Sequence, residues 1–225
     1  MIKIGYLGNE GGDALGLENL IECKPTPIKL LGGALTRCPA VRGYHMNTFE
    51  VKCPFDLEWT VWREENRWEV NIENTSLSTD SSFSLDNLFT FDKENTNVQI
   101  NYRPGWSFIS DTPNTILLQH TNGIDTNPQI ISGMINIYDW PDRALSIGYS
   151  LTEKVQTFKI KRGKPWYRVT FITPDLEPVK LIKMTERHPY LVRTQIKDHL
   201  ATIEYQNWRK IFKYFGKTRP KKLIP

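Results

Sequence analysis

No stretch of this chain approaches eighteen consecutive apolar residues, so no membrane-spanning helix is predicted. Met1–Gly12 holds one lysine and no long apolar run, which predicts no secretory signal. Cysteine is scarce: Cys23, Cys38 and Cys53 are the three, spaced fifteen residues apart. An odd count without a signal predicts free thiols in a reducing compartment. No CxxC pair exists, so even with His45 as a fourth donor no zinc centre is predicted. Neither GxGxxG nor GxxxxGK[ST] occurs, and the glycine-rich run Gly5–Gly16 carries Glu10 and Asp13, which would repel a phosphate. The absence of GxSxG removes the hydrolase elbow. The four histidines, His45, His120, His188 and His199, form no HxH, HxD or HExxH pattern, so no local metal or triad signature is read.

What is present is aromatic and alternating. Aromatic residues make up 12% of the 225, including seven tryptophans. Thr48–Cys53 alternates with Phe49, Val51 and Cys53 on one face. Leu57–Trp62 and Trp68–Ile72 do the same around the polar turn Arg63–Arg67, which predicts a hairpin over Leu57–Ile72. Further strands are predicted at Ile2–Leu7, Val98–Tyr102, Ser107–Ser110, Thr115–His120, Gln129–Tyr138, Ala144–Ser150, Val155–Ile160 and Trp166–Ile172. Turns such as Thr112-Pro113-Asn114 and Arg162-Gly163 separate them. Many short strands at this spacing predict a mainly β chain: an antiparallel β-sandwich or barrel with one C-terminal α-helix. That helix is predicted from Pro189 to Gly216, with Val192, Ile196, Leu200, Ile203 and Ile211 on one face. The organisation is then a Gly-rich segment and lead-in strand (1–36), a β core (37–183), the helix (189–216) and a basic tail (217–225).

Charge is unevenly spread. The chain carries +4, yet Ala201–Pro225 alone holds seven Lys/Arg against Glu204. Arg209, Lys210, Lys213, Lys217, Arg219, Lys221 and Lys222 interleave with Trp208, Phe212, Tyr214 and Phe215. Basic groups neutralise phosphates and aromatics stack on bases, so these seven are candidate nucleic-acid or partner contacts. The competing expectation is a helix with aromatics inward and lysines in water. Trp106, Trp140 and Trp166 each sit beside a Pro or Gly turn. With Asp139 and His120 they are candidate ligand or partner contacts, the alternative being that the tryptophans plug the ends of a sandwich. His45, His120 and Asp139 form the one His/carboxylate set considered for a metal, with nothing local to predict that they meet.

Several anchors carry a resemblance: Arg37-Cys38-Pro39-Ala40, Gly43-Tyr44, Pro54-Phe55-Asp56-Leu57, Tyr102–Ser107, Gly133-Met134-Ile135, Asp139-Trp140 and Lys161-Arg162-Gly163-Lys164-Pro165. In this order they resemble an uncharacterised family of marine T4-like phages, over Cys38 to Thr173. Those motifs are in turn similar to the dUTPase-like β-clip fold. That fold implies a homotrimer and Mg²⁺-dependent cleavage of deoxynucleoside triphosphates. The resemblance would place the hairpin acid of active members at Asn136, and an amide cannot activate water. Asp139 is offset in register. The resemblance therefore implies a phage-encoded, non-enzymatic β-module, in the virion or the host cytoplasm, that binds a host or phage protein or self-associates. The alternatives are a dUTPase-like or cupin-like nucleotide- or metal-dependent enzyme with Mg²⁺, and a nucleic-acid-binding accessory protein that uses the basic C-terminal helix and tail. No other cofactor, no metal centre and no membrane are predicted.

Overall fold

The computed structural model describes residues 1–8, 24–25, 37–53, 56–64, 67–73, 89–92, 98–102, 106–121, 129–130, 132–141, 147–151, 155–186, 188–191 and 217–225. Strands dominate these segments. In chain order they are β1 (Ile2–Gly8), β2 (Lys24–Pro25), β3 (Thr48–Lys52), β4 (Leu57–Glu64), β5 (Arg67–Glu73), β6 (Phe89–Asp92), β7 (Val98–Tyr102) and β8 (Trp106–Ser110). Then come β9 (Ile116–Thr121), β10 (Gln129–Ile130), β11 (Gly133–Asn136), β12 (Ile147–Leu151), β13 (Val155–Ile160), β14 (Pro165–Ile172) and β15 (Val179–Lys183). One helix of eight residues, α1 (Pro39–Met46), precedes β3.

The chain is mainly β with antiparallel sheets, as its alternation predicts. The described strands form four open sheets: β15-β1-β8, β10-β12-β7-β6, β11-β9-β14-β3-β2 and β13-β4-β5. The predicted hairpin is β4 and β5, paired from Glu58↔Glu73 to Glu64↔Arg67. One pairing is parallel: β1 lies beside β15, with Ile2 opposite Val179.

Aromatic packing stacks the sheets in two places. Phe108 of β8 meets Phe171 of β14 edge-on at 5.4 Å, and Phe49 of β3 meets the same ring at 5.7 Å. This joins the sheet of β1 to the inner face of the five-stranded sheet. Elsewhere Trp59 of β4 contacts Tyr149 of β12 at 5.7 Å and Phe158 of β13 at 5.1 Å, which joins the hairpin's sheet to the four-stranded one. Trp166 sits between these cores and donates its indole N–H to the Tyr149 hydroxyl. Edge-on and tilted ring pairs contribute about 1 kcal/mol each beyond the area they bury.

Two predicted elements differ. The single strand expected over Gln129–Tyr138 is two strands in different sheets, β10 and β11, followed by a turn. The reason for the early end of β11 lies in Asn136: its Oδ1 accepts from the amides of Tyr138 (3.0 Å) and Asp139 (3.2 Å), which bends the chain out of the sheet. Of the predicted helix 189–216 only 189–191 fall within the described residues, and they are helical; residues 217–218, at the start of the predicted tail, are helical as well. The Gly-rich run beyond Gly8, His199, and Arg209, Lys210 and Lys213 lie outside them.

Candidate functional site

The five-stranded sheet has one face turned into the aromatic core; the other, called outer below, is exposed at Met134 and Ile172 but buried at Thr48 and Thr170, each 1% exposed. Residues directly opposite in a ladder share a face, so register alone builds the outer one. One row runs His120–Arg168–Glu50–Lys24 across β9, β14, β3 and β2. The next runs Met134–Leu118–Thr170–Thr48 across β11, β9, β14 and β3. A third holds Asn136, Ile116 and Ile172. The inner face carries Phe49, Val51, Val169, Phe171 and Leu117, all buried.

The outer face divides into two halves. On the β14–β3 side it is polar and bonded. Arg168 pairs with Glu50 at 3.0 Å, both about one-fifth exposed. Thr170 Oγ1 shares a hydrogen bond with Thr48 Oγ1 at 2.8 Å and another with His120 Nε2 at 3.0 Å. Helix α1 approaches β14 here, and His45 near its C-terminal end lies within the field of Arg168. Burial, and then that guanidinium charge, push the His45 imidazole below its usual 6.5. On the β9–β11 side the face is apolar. Met134 is 68% exposed and Ile172 is 38% exposed, with Leu118 and Ile116 half-buried between them. Leu176, also exposed, lies near the same end of the sheet beside α1: a Cβ on Gly43 would meet its Cδ1 at 3.5 Å.

His120 and His45 thus both gather near Arg168. Asp139 does not join them. It follows β11 at the end where Asn136 opposes Ile116, and four residues of β9 put His120 about 13 Å further along. Its carboxylate accepts instead from Asn136 Nδ2 at 2.7 Å. Among the described residues, no three His, Cys, Asp or Glu side chains converge as a metal site. Asn136, where the resemblance places a hairpin acid, spends its amide on this turn.

The tryptophans divide. Trp166, expected among exposed contacts, is 3% exposed and belongs to the core; this corrects the expectation, because β14 turns it toward Tyr149. Trp140 is half-buried. Trp106 opens β8 in register with Gly8.

The basic set is corrected at one position as well. Arg219 is no solvated cation: its side chain is 2% exposed. It donates to the carbonyls of Tyr138 (3.0 Å) and Ser110 and to Asp111 Oδ1 (3.0 Å), with its guanidinium 4.2 Å from the Tyr138 ring centre. The same Asp111 carboxylate accepts from the amides of Leu223 (2.8 Å) and Ile224 (2.9 Å). Those two side chains are buried in a cluster with Leu7, Ile109, Met184 and Leu191. Residues 219–225 are therefore a strap fastened to the body; Lys221 and Lys222 are its exposed charges, and Lys217, also exposed, lies just before it.

Sequence reasoning missed the apolar outer stripe. Its signal is Met134, Leu118, Ile116 and Ile172, four apolar residues on outward positions, and only the strand register brings them together. No protein-family profile, curated protein or solved structure matches this chain.

Proposed function

We propose that this chain is a non-enzymatic β-module, and that it docks a protein partner on the outer face of the five-stranded sheet. The observation that carries this is the pairing of Met134 and Ile172, both exposed, with the half-buried Leu118 and Ile116 on one register-defined face. Exposed apolar patches rimmed by polar groups mark interaction surfaces. Here the rim is the row of His120, Arg168 and Glu50, already bonded within the fold and so fixed in direction. Interfaces have this anatomy: an apolar centre, enriched in Met, inside a polar margin that includes Arg. The resemblance to a phage family supports a host or phage protein as the partner.

The reading predicts that Met134→Glu with Ile172→Glu abolishes partner capture and changes the melting temperature by no more than about 2 °C, since both positions are solvated in the free chain. Capture by the full chain, followed by mass spectrometry of the bound proteins, checks this. An unchanged set of bound proteins would overturn the reading, and so would a collapse of stability in the double variant.

A further inference from the structure

The turn between β13 and β14, Lys161-Arg162-Gly163-Lys164, has no part in that face. Its backbone is bonded at three successive amides. Arg162 N–H donates to Asp56 Oδ1 at 2.9 Å, Gly163 N–H to the Cys53 carbonyl at 2.8 Å, and Lys164 N–H to the Lys161 carbonyl at 3.0 Å. Cys53 N–H returns a bond to the Lys164 carbonyl at 2.9 Å. Gly163 takes φ +78°, the left-handed position that such a turn reserves for glycine. The turn is thus pinned to Cys53 and Asp56 as well as to its own strands.

From this fixed base three cations project. Lys161, Arg162 and Lys164 are exposed, and none has an ion-pair partner among the described residues. Asp56 is the acid at the turn. Lys159, two residues earlier, is already held by Glu58.

We infer that this turn is a docking tip for the phosphodiester backbone of nucleic acid. Three features select that ligand. The amides of Arg162, Gly163 and Lys164 are spent on protein acceptors and so cannot form a backbone nest for a small phosphate; recognition falls to side-chain charge. Duplex DNA presents one charge per about 1.7 Å of axis, so it offers several phosphates to a turn under about 7 Å across. The exposed large apolar residues among those described are Met1, Met46, Met134, Ile172 and Leu176; none lies on this turn, so it lacks the wedge that a lipid surface would take. The next aromatics, Trp166 and Tyr167, are buried and offer no platform for bases. Binding is therefore independent of sequence and strongly dependent on salt.

The test uses the full chain and a fluorescent 20-base-pair duplex, titrated at several salt concentrations. Each of Lys161→Ala, Arg162→Ala and Lys164→Ala is expected to make the slope of log K against log salt shallower by about 1, and the triple variant by about 3. The melting temperature should hold, because the backbone bonds of the turn and Gly163 are untouched. Lys217→Ala, Lys221→Ala and Lys222→Ala together serve as the control and should leave the slope as it is. The inference is overturned by any of four results: no duplex binding at 50 mM salt, a slope unchanged in the triple variant, loss of binding only in the strap control, or tighter tip-dependent binding to polyglutamate or phosphatidylserine vesicles than to duplex.

Discussion

Asn47 follows the last residue of α1 and is 1% exposed, yet it is a polar side chain. Its Nδ2 donates to the Glu177 carbonyl at 2.9 Å and its Oδ1 accepts from Val179 N–H at 2.9 Å, which ties the helix end to the start of β15. Asn47→Ala would leave the Val179 amide without its acceptor, at about 1–3 kcal/mol, while the Glu177 carbonyl keeps the Thr173 hydroxyl at 2.8 Å. Urea unfolding should show a lower midpoint with an unchanged slope. Asp111 is the second such residue. It is partly exposed, but it is the acceptor for Arg219 and for two strap amides. Asp111→Ala leaves that guanidinium buried without its carboxylate, and about 3 kcal/mol should be lost. For a chain of this length that is a fall of about 6–12 °C in melting temperature. His45 supplies a pH dependence. Its folded pKa lies below 6.5, so as pH falls below 6.5 the unfolded chain takes up the proton first and stability declines until the folded imidazole also titrates. His45→Gln should lose less melting temperature than the parent between pH 7.5 and 5.5; an equal loss would assign that decline to other groups. None of these roles was legible beforehand. A sequence shows that Arg219 is a cation, but only the fold shows that Tyr138, Ser110 and Asp111 surround it.

At the scale of elements, strands were legible where alternation was strong and bounded by turn residues. Val98–Tyr102 and Val155–Ile160 appear with the predicted ends. β15 escaped because its five residues are half-buried or exposed throughout, so their alternation carries little contrast. Helix α1 escaped because eight residues containing Gly43 have little helical propensity; the one available signal was Pro39 at its first position. The strap escaped because it has no regular structure to predict, only Leu223 and Ile224 seated under the strands. Its fit is tight at Gly5, where an added Cβ would lie 2.5 Å from Met184 Sδ and 3.3 Å from Ile224 Cγ1. Gly5→Ala asks a flexible thioether to move and should cost about 1 kcal/mol; Gly5→Val should cost about 3. Limited proteolysis after Lys221 and Lys222 should speed up in Gly5→Val, as the strap lifts. Equal cleavage of parent and variant would mean that the strap is not held at this point.

Across the whole molecule, two aromatic cores meet at Trp166 and Tyr149, and the five-stranded sheet offers a half-polar, half-apolar outer face. The class of fold was read correctly because sheets need alternation, and alternation is local. The face was not, because it is assembled from β9, β11 and β14, which lie apart in the chain and meet only through their register. The most direct test places a photo-reactive phenylalanine analogue at position 134 and, separately, at Thr157 on β13, and irradiates cells that make the full-length chain. Docking on the outer face predicts a discrete adduct of one added protein from position 134 and none from position 157. No adduct at 134, or the same adducts from both positions, would contradict it.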